Sequence, residues 1–332
     1  MTELSTPPTP STILPYPAPP PYVSAPTVIV NPKPPRRWLG PKGGWFIFLG
    51  LTFFWLWNVL FNQLILHRVG LSTNSLVLGG FGMTAALTYT LAYRLRERDG
   101  ISVVRLGLAF LLGGLLATEL AIMIELPLAL ALKSNAHGAL ILHSLAGVIE
   151  EACKLLVVVI MARGLTVRSA RNGLFLGGAV GLGFAAFEDM RYAWASIANT
   201  ANVHDPLGAL FRMTFGRDVI GPFEHPVITA LLAAALFAAS RHGRWRITGR
   251  VVLVYLGVAA AHGLIDTSPD LFALAIPRAS AAALGVPVAV LIALGLSTIW
   301  LVYSRRLKRR MLAEEAAVAP PSDERPPGQM PR

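Results

Sequence analysis

The sequence predicts an all-α fold, a polytopic transmembrane helical bundle of about eight spans with both termini cytoplasmic. Three observations predict it. Of the 332 residues, 54% are hydrophobic and only 14% charged, whereas a soluble domain carries about 25% charged residues. The apolar residues fall in long blocks instead of amphipathic stripes, and a membrane span needs roughly 20 mostly apolar residues. The basic residues gather beside one set of block ends, as the positive-inside rule requires. Helices and closed barrels are the structures that satisfy their own backbone groups in lipid. The blocks do not alternate, which excludes an outer-membrane barrel.

The blocks are read as spans over residues 44–66, 72–93, 103–127, 137–162, 172–197, 222–240, 249–267 and 284–304. Pro127 is expected to mark the end of the third. Trp45, Trp55 and Trp57 suit lipid-facing anchors or packing residues of the first. Glu119 and Glu125 are placed at the interface, towards the outer end of the third.

The formal net charge of +11 does not imply nucleic acid, because its position is orderly. Nineteen Lys and Arg residues flank one side, in runs such as Arg94–Arg98, Arg241–Arg250 and Arg305–Arg310, against six on the other. This places the chain in the cell membrane as a multi-pass protein. The basic runs are also suited to contact anionic membrane lipids.

Three regions follow. Residues 1–43 form a proline-rich cytoplasmic tail, with 12 of the 25 prolines before residue 37. Such a stretch cannot bury a core and reads as disordered, locally polyproline II, with a proline-reading partner as a further option. Residues 44–304 form the transmembrane domain. Residues 305–332 form a basic and then disordered tail. No signal peptide is visible. The single cysteine, Cys153, excludes an internal disulfide and a cysteine-based zinc site.

Ionisable groups at membrane depth cost about 2.5–3.5 kcal/mol each on insertion scales, so a cluster of them points to use. The fourth span carries His143, Glu150, Glu151 and Lys154. Lys154 lies four and three residues after the two acids, within reach of both on one helix. Two acids against one base leave a surplus carboxylate that a structural pair does not need. The fifth span presents Phe184 and Glu188 on one face of a Gly-rich helix, with Asp189 and Arg191 suited to pair near the interface. The sixth carries His225 and Thr229 four apart. The seventh carries His262 and Asp266 four apart, where a carboxylate can hold an imidazole in one tautomer. At 1.5 Å per residue these groups lie near mid-membrane or somewhat outward, which suggests one intramembrane chamber built from four helices.

This set resembles the PrsW family of intramembrane endopeptidases, glutamic-type enzymes related to the CAAX-processing prenyl endopeptidases. E-E-x-x-K matches Glu150 to Lys154, and F-x-x-x-E matches Phe184 to Glu188. A histidine with a threonine four residues on matches His225 and Thr229, and H-x-x-x-D/N matches His262 to Asp266. The resemblance spans roughly residues 137–268. Asp189 departs from the family pattern, which has Asn after the glutamate.

The resemblance implies hydrolysis of a peptide bond in a membrane-anchored protein substrate, with Glu150, Glu151, Lys154, Glu188, His225, His262 and Asp266 as the catalytic set. In one version Glu150 or Glu151 activates water, His225 and His262 stabilise the oxyanion or protonate the leaving amine, and Asp266 orients His262. No cofactor is then required. In the other, His225, His262 and Glu188 hold zinc or another divalent metal. The absence of H-E-x-x-H favours the first. A P-loop and a Rossmann fingerprint are absent too. Two other readings use the same cluster: a proton-coupled transporter, which often shows repeated halves with broken helices, and a non-catalytic membrane scaffold. No repeated halves are visible.

Overall fold

A computed structural model describes residues 43–61, 65, 101–165, 167–198, 204–206, 208–210, 213, 217, 223–241 and 243–318. It holds eight α-helices: α1 (Gly43–Phe61), α2 (Val103–Leu112), α3 (Thr118–Leu132), α4 (Gly138–Met161), α5 (Ala170–Ala198), α6 (His225–Ala239), α7 (Gly249–Ala273) and α8 (Arg278–Val318). Among the described residues there is no strand, only an isolated bridge between Arg241 and Arg244.

Among the described residues, four segments are long and apolar enough to cross a membrane: Val104–Leu132, Ala170–Ala198, Gly249–Ala273 and Ser280–Arg310. α4 has the length, but Glu150, Glu151 and Lys154 interrupt its apolar run. α6 has 15 residues, which at 1.5 Å each fall short of a full crossing. The expected span at 72–93 and the first 42 residues lie outside the described residues.

Several boundaries differ from expectation: α7 runs past residue 267 to Ala273, and α8 begins at Arg278 instead of 284. Pro127 does not end the third span. α2 and α3 are joined by a π-turn at Gly113–Ala117, and the helix runs through Pro127 to Leu132. Loss of one backbone donor at Pro127 is tolerated within an apolar helix whose other backbone groups pair internally. α8 likewise continues past residue 304, through the basic run, to Val318. In α1, Trp57 is exposed and Trp55 is buried, so one fits a lipid anchor and the other a packing residue.

α5 is the central helix. Of its apolar window 78% is buried, against 17% for the peripheral α8. The sequence reason is its small residues. A Cβ at Gly113 would strike the Val180 carbonyl, and one at Gly183 would strike the Phe110 carbonyl. These positions let the π-turn and α2 lie directly on α5. The same device seats α6 on α5, because a Cβ at Gly181 would strike the carbonyl of His225. One apolar cluster unites α2, α3, α4, α5 and α6 through Leu106, Ala121, Val157, Leu176, Phe184 and Phe237. A second joins α6, α7 and α8 through Ile228, Leu232, Val258, Ile265 and Ala289. The ionisable cluster lies among α4, α5, α6 and α7.

Gly181→Val is expected to push α6 outward and carry His225 with it. Overpacking of this kind costs about 1–3 kcal/mol. A thermal melt in detergent checks the loss of stability, and an activity assay checks the loss of His225 from its place.

Candidate active site

Lys154 is the hub, fully buried on α4. Its ammonium donates to Glu150 Oε2 at 3.0 Å, to Glu151 Oε1 at 2.9 Å and to His225 Nδ1 at 2.9 Å. Those bonds use all three of its protons. Nζ also sits 3.7 Å from the centre of the Phe184 ring, so the aromatic residue of F-x-x-x-E is a cation–π platform under the lysine.

The two adjacent acids are not equivalent. Glu151 Oε1 accepts from Lys154 and faces His262 Nδ1 at 3.2 Å, while its Oε2 accepts from Thr229 Oγ1 at 3.0 Å. Both of its oxygens are committed. Glu150 meets Lys154 through Oε2, which also lies 3.5 Å from His262 Nε2.

Glu188, on α5, lies 2.9 Å from His225 Nε2 and accepts from Arg217 Nη2 at 2.7 Å. Arg217 Nε also donates to Asp189 Oδ1 at 2.5 Å, and its guanidinium stacks on Tyr192 at 4.3 Å. Burial alone would lower the pKa of Arg217, but Glu188 and Asp189 outweigh it and raise the value well above the usual one. The expected Asp189–Arg191 pair is therefore corrected. Arg191 lies 4.0 Å from Glu188, and Asp189 takes Arg217. An aspartate in place of the family's asparagine thus has a cation to answer it.

His262 is held at its two ends by different groups. Nδ1 faces Glu151. Nε2 faces Asp266 Oδ2 at 3.4 Å, Glu150 Oε2 at 3.5 Å and Glu224 Oε1 at 3.7 Å. Asp266, expected to orient His262, thus faces its Nε2 end, and Glu151 faces the Nδ1 end. The His225 and His262 rings meet edge-on, 5.0 Å apart. His143 lies away from Glu150, bonded to Asp270 at 2.8 Å.

All seven sequence-predicted residues thus fall in one network. Sequence reasoning missed Arg217 and Glu224 as members of this network. For Arg217, one of three arginines between Asp189 and Glu224, the sequence carried no distinguishing signal; for Glu224 the signal was an acid directly beside His225. Glu224 is 5% exposed, and as the N-cap of α6 its side chain makes no capping bond.

The charge balance is lopsided. Glu150, Glu151, Glu188, Asp189, Glu224 and Asp266 face three cations, Lys154, Arg217 and the more exposed Arg191, and two imidazoles. Among the described residues, two groups bring donor atoms within 4.8 Å of one another, Glu150–His225–His262 and Glu224–His262–Asp266. Glu188 enters neither. Three buried atoms here lack a hydrogen-bond partner: Glu224 Oε1, His225 Nε2 and His262 Nε2. His225 Nε2 is close to Glu188 but not in hydrogen-bonding alignment with it.

The family described as PrsW family intramembrane metalloprotease matches residues 103–296. No curated protein and no solved structure matches the chain. The match covers more than half of the sequence and contains every residue of the network, and the chain belongs to the PrsW family of intramembrane proteases.

Proposed function

We propose that the protein hydrolyses a peptide bond in a membrane-anchored protein with a water activated by Glu150. The observation that carries this reading is the asymmetry of the two acids. Glu151 is saturated by three donors through both of its oxygens, whereas Glu150 is held through Oε2 alone, by Lys154, with His262 Nε2 at 3.5 Å. Glu150 takes a proton from water, and the hydroxide attacks the scissile carbonyl. The same carboxyl then returns the proton to the departing amine. Lys154 holds both acids and orients them. His225 accepts from Lys154 at Nδ1, so its neutral ring carries its proton at Nε2, where it can donate to the developing oxyanion. Arg217 pairs with Glu188 and Asp189 and fixes their positions. The tails, 1–43 and 305–332, flank the catalytic region on the cytoplasmic side by the charge argument above.

The residues fit the divalent metal that the family description implies. Glu151 holds the Nδ1–H end of His262, which leaves a lone pair at Nε2 facing two carboxylates, the arrangement of a histidine ligand backed by an outer carboxylate. His262, Glu224 and Asp266 would hold the ion, beside Glu150. Such an ion would polarise the carbonyl and lower the pKa of a bound water. His225 is less suited, since Lys154 occupies its Nδ1. Of the two alternatives the sequence left open, we adopt the divalent one. About one equivalent of divalent metal per chain is expected by elemental analysis. Glu224→Gln and His262→Ala are expected to lose it, and His225→Ala to keep it.

A panel of single-span reporters, each tagged at both ends and co-expressed with the chain, tests the function. Release of a tag from a subset with wild type, and from none with Glu150→Gln/Glu151→Gln, supports the reading. Ion flux through the purified chain, with no reporter cut, would favour the transporter.

A further inference from the structure

A buried hydrolase consumes one water for each bond it cuts, and the bulk of this chamber is closed by apolar helices. The structure nevertheless carries polar groups from the chamber to one end of the bundle. His262, Asp266 and Asp270 follow one another at four-residue intervals on α7, each step about 6 Å along one face. Across from them α4 contributes Glu150 at depth and His143 near its first turn, and His143 Nδ1 meets Asp270 Oδ2 at 2.8 Å. The two helices cross closely just beside this line, where a Cβ at Gly263 would meet the Ser144 carbonyl at 2.7 Å.

Side-chain exposure rises steadily along the line. It is 0% at His262, 5% at Glu150, 29% at Asp266, 38% at Asp270 and 42% at His143. A carboxylate such as Asp266 facing lipid below the helix end would cost up to about 2.5–3.5 kcal/mol on insertion scales. Hydration removes that cost. The hydroxyls nearby are not part of the line, since Thr267 and Ser268 bond back to Gly263 and Leu264 carbonyls of their own helix.

We propose that this line is the water inlet of the chamber, an opening between α4 and α7 with the His143–Asp270 pair at its mouth and Asp266 on its wall. It rests on the hydrolytic reading for its purpose, and on exposure and position for its existence. The mouth lies at the end where α4 begins and α7 finishes. By the charge argument that is the outer side, so the water, and the protons exchanged with it, come from outside the cell.

The test is cysteine accessibility in a Cys153→Ala background, which removes the single native thiol. Asp270→Cys, Asp266→Cys and Leu264→Cys are compared. Leu264 is two residues from Asp266, thus at nearly the same depth, and it is 48% exposed. A membrane-impermeant cationic methanethiosulfonate is applied to the outer face of sealed membranes. Modification of residues 270 and 266, with 264 untouched, is the expected result. The cationic reagent should outpace an anionic one by about tenfold or more in so acidic a passage. Equal protection of 266 and 264 would overturn the inlet and leave Asp270 as an interfacial residue. Should Asp266→Cys fail to accumulate, a water-soluble carbodiimide with an amine is used on the wild type. Amidation mapped to both Asp266 and Asp270 supports the inlet, and amidation of Asp270 alone overturns it. Neither readout requires turnover. A Glu150→Gln chain that labels normally but cuts nothing, like its wild type, would sink the hydrolytic reading and spare the inlet.

Discussion

Glu150→Gln is expected to lower turnover by about 10²–10⁴-fold, the usual contribution of a positioned general base. KM and the melting temperature should change little. The amide keeps an oxygen for Lys154 and removes only the basicity. Glu151→Gln should behave differently. Its two oxygens receive Lys154, His262 and Thr229, and the substitution weakens all three bonds and turns an amide N–H towards groups that are themselves donors. An unsatisfied buried donor costs about 1–3 kcal/mol, so this variant should melt earlier and lose activity in proportion to the disorder of His262. A loss of kcat at constant stability in Glu151→Gln, with Glu150→Gln still active, would exchange the two assignments. Measurement of kcat, KM and melting temperature on both variants decides it.

Lys154→Met is expected to be the most damaging single change to the fold. The lysine is wholly enclosed and is the direct cation of two carboxylates that are themselves buried. Removing one partner of a buried ion pair typically costs about 3–5 kcal/mol, because the remaining charge is left without compensation. The loss of the cation over Phe184 and of the donor to His225 adds to it. The variant should fail to accumulate in the membrane. The triple change Glu150→Gln/Glu151→Gln/Lys154→Met removes the stranded charges and should accumulate again without activity. A triple variant no more abundant than the single one would mean that the lysine acts through its packing and not its charge. Immunoblots of membrane fractions read the comparison.

Much of this arrangement was legible because the signals are local. Lys154 reaches Glu150 and Glu151 through helical spacing alone, and the glycines of α5 announce a close neighbour. The mid-membrane depth of four polar blocks brought seven residues to one chamber. What was not legible is pairing across long separations. Arg217 reaches Glu188 from 29 residues away, Thr229 reaches Glu151 from 78, and His262 reaches it from 111. Nothing in the spacing of one helix says which acid a distant hydroxyl or guanidinium will choose. The different environments of Glu150 and Glu151 follow from those choices alone. Glu224 was hidden for another reason. An acid at a helix N-terminus ordinarily caps it, and here the cap bond is not made. The helix end expected at Pro127 failed because lipid and packing favour continued helix over the local break expected in water.

The most direct measurement is a proteome-wide comparison of new protein termini in membranes expressing wild type with those expressing Glu150→Gln, once the variant is shown to insert and melt like wild type. The expected result is a small set of cuts in or near transmembrane segments, present with wild type and absent with the variant. An identical set of termini in the two membranes, under conditions that include envelope stress, would contradict the assignment of this buried cluster to peptide-bond hydrolysis by Glu150.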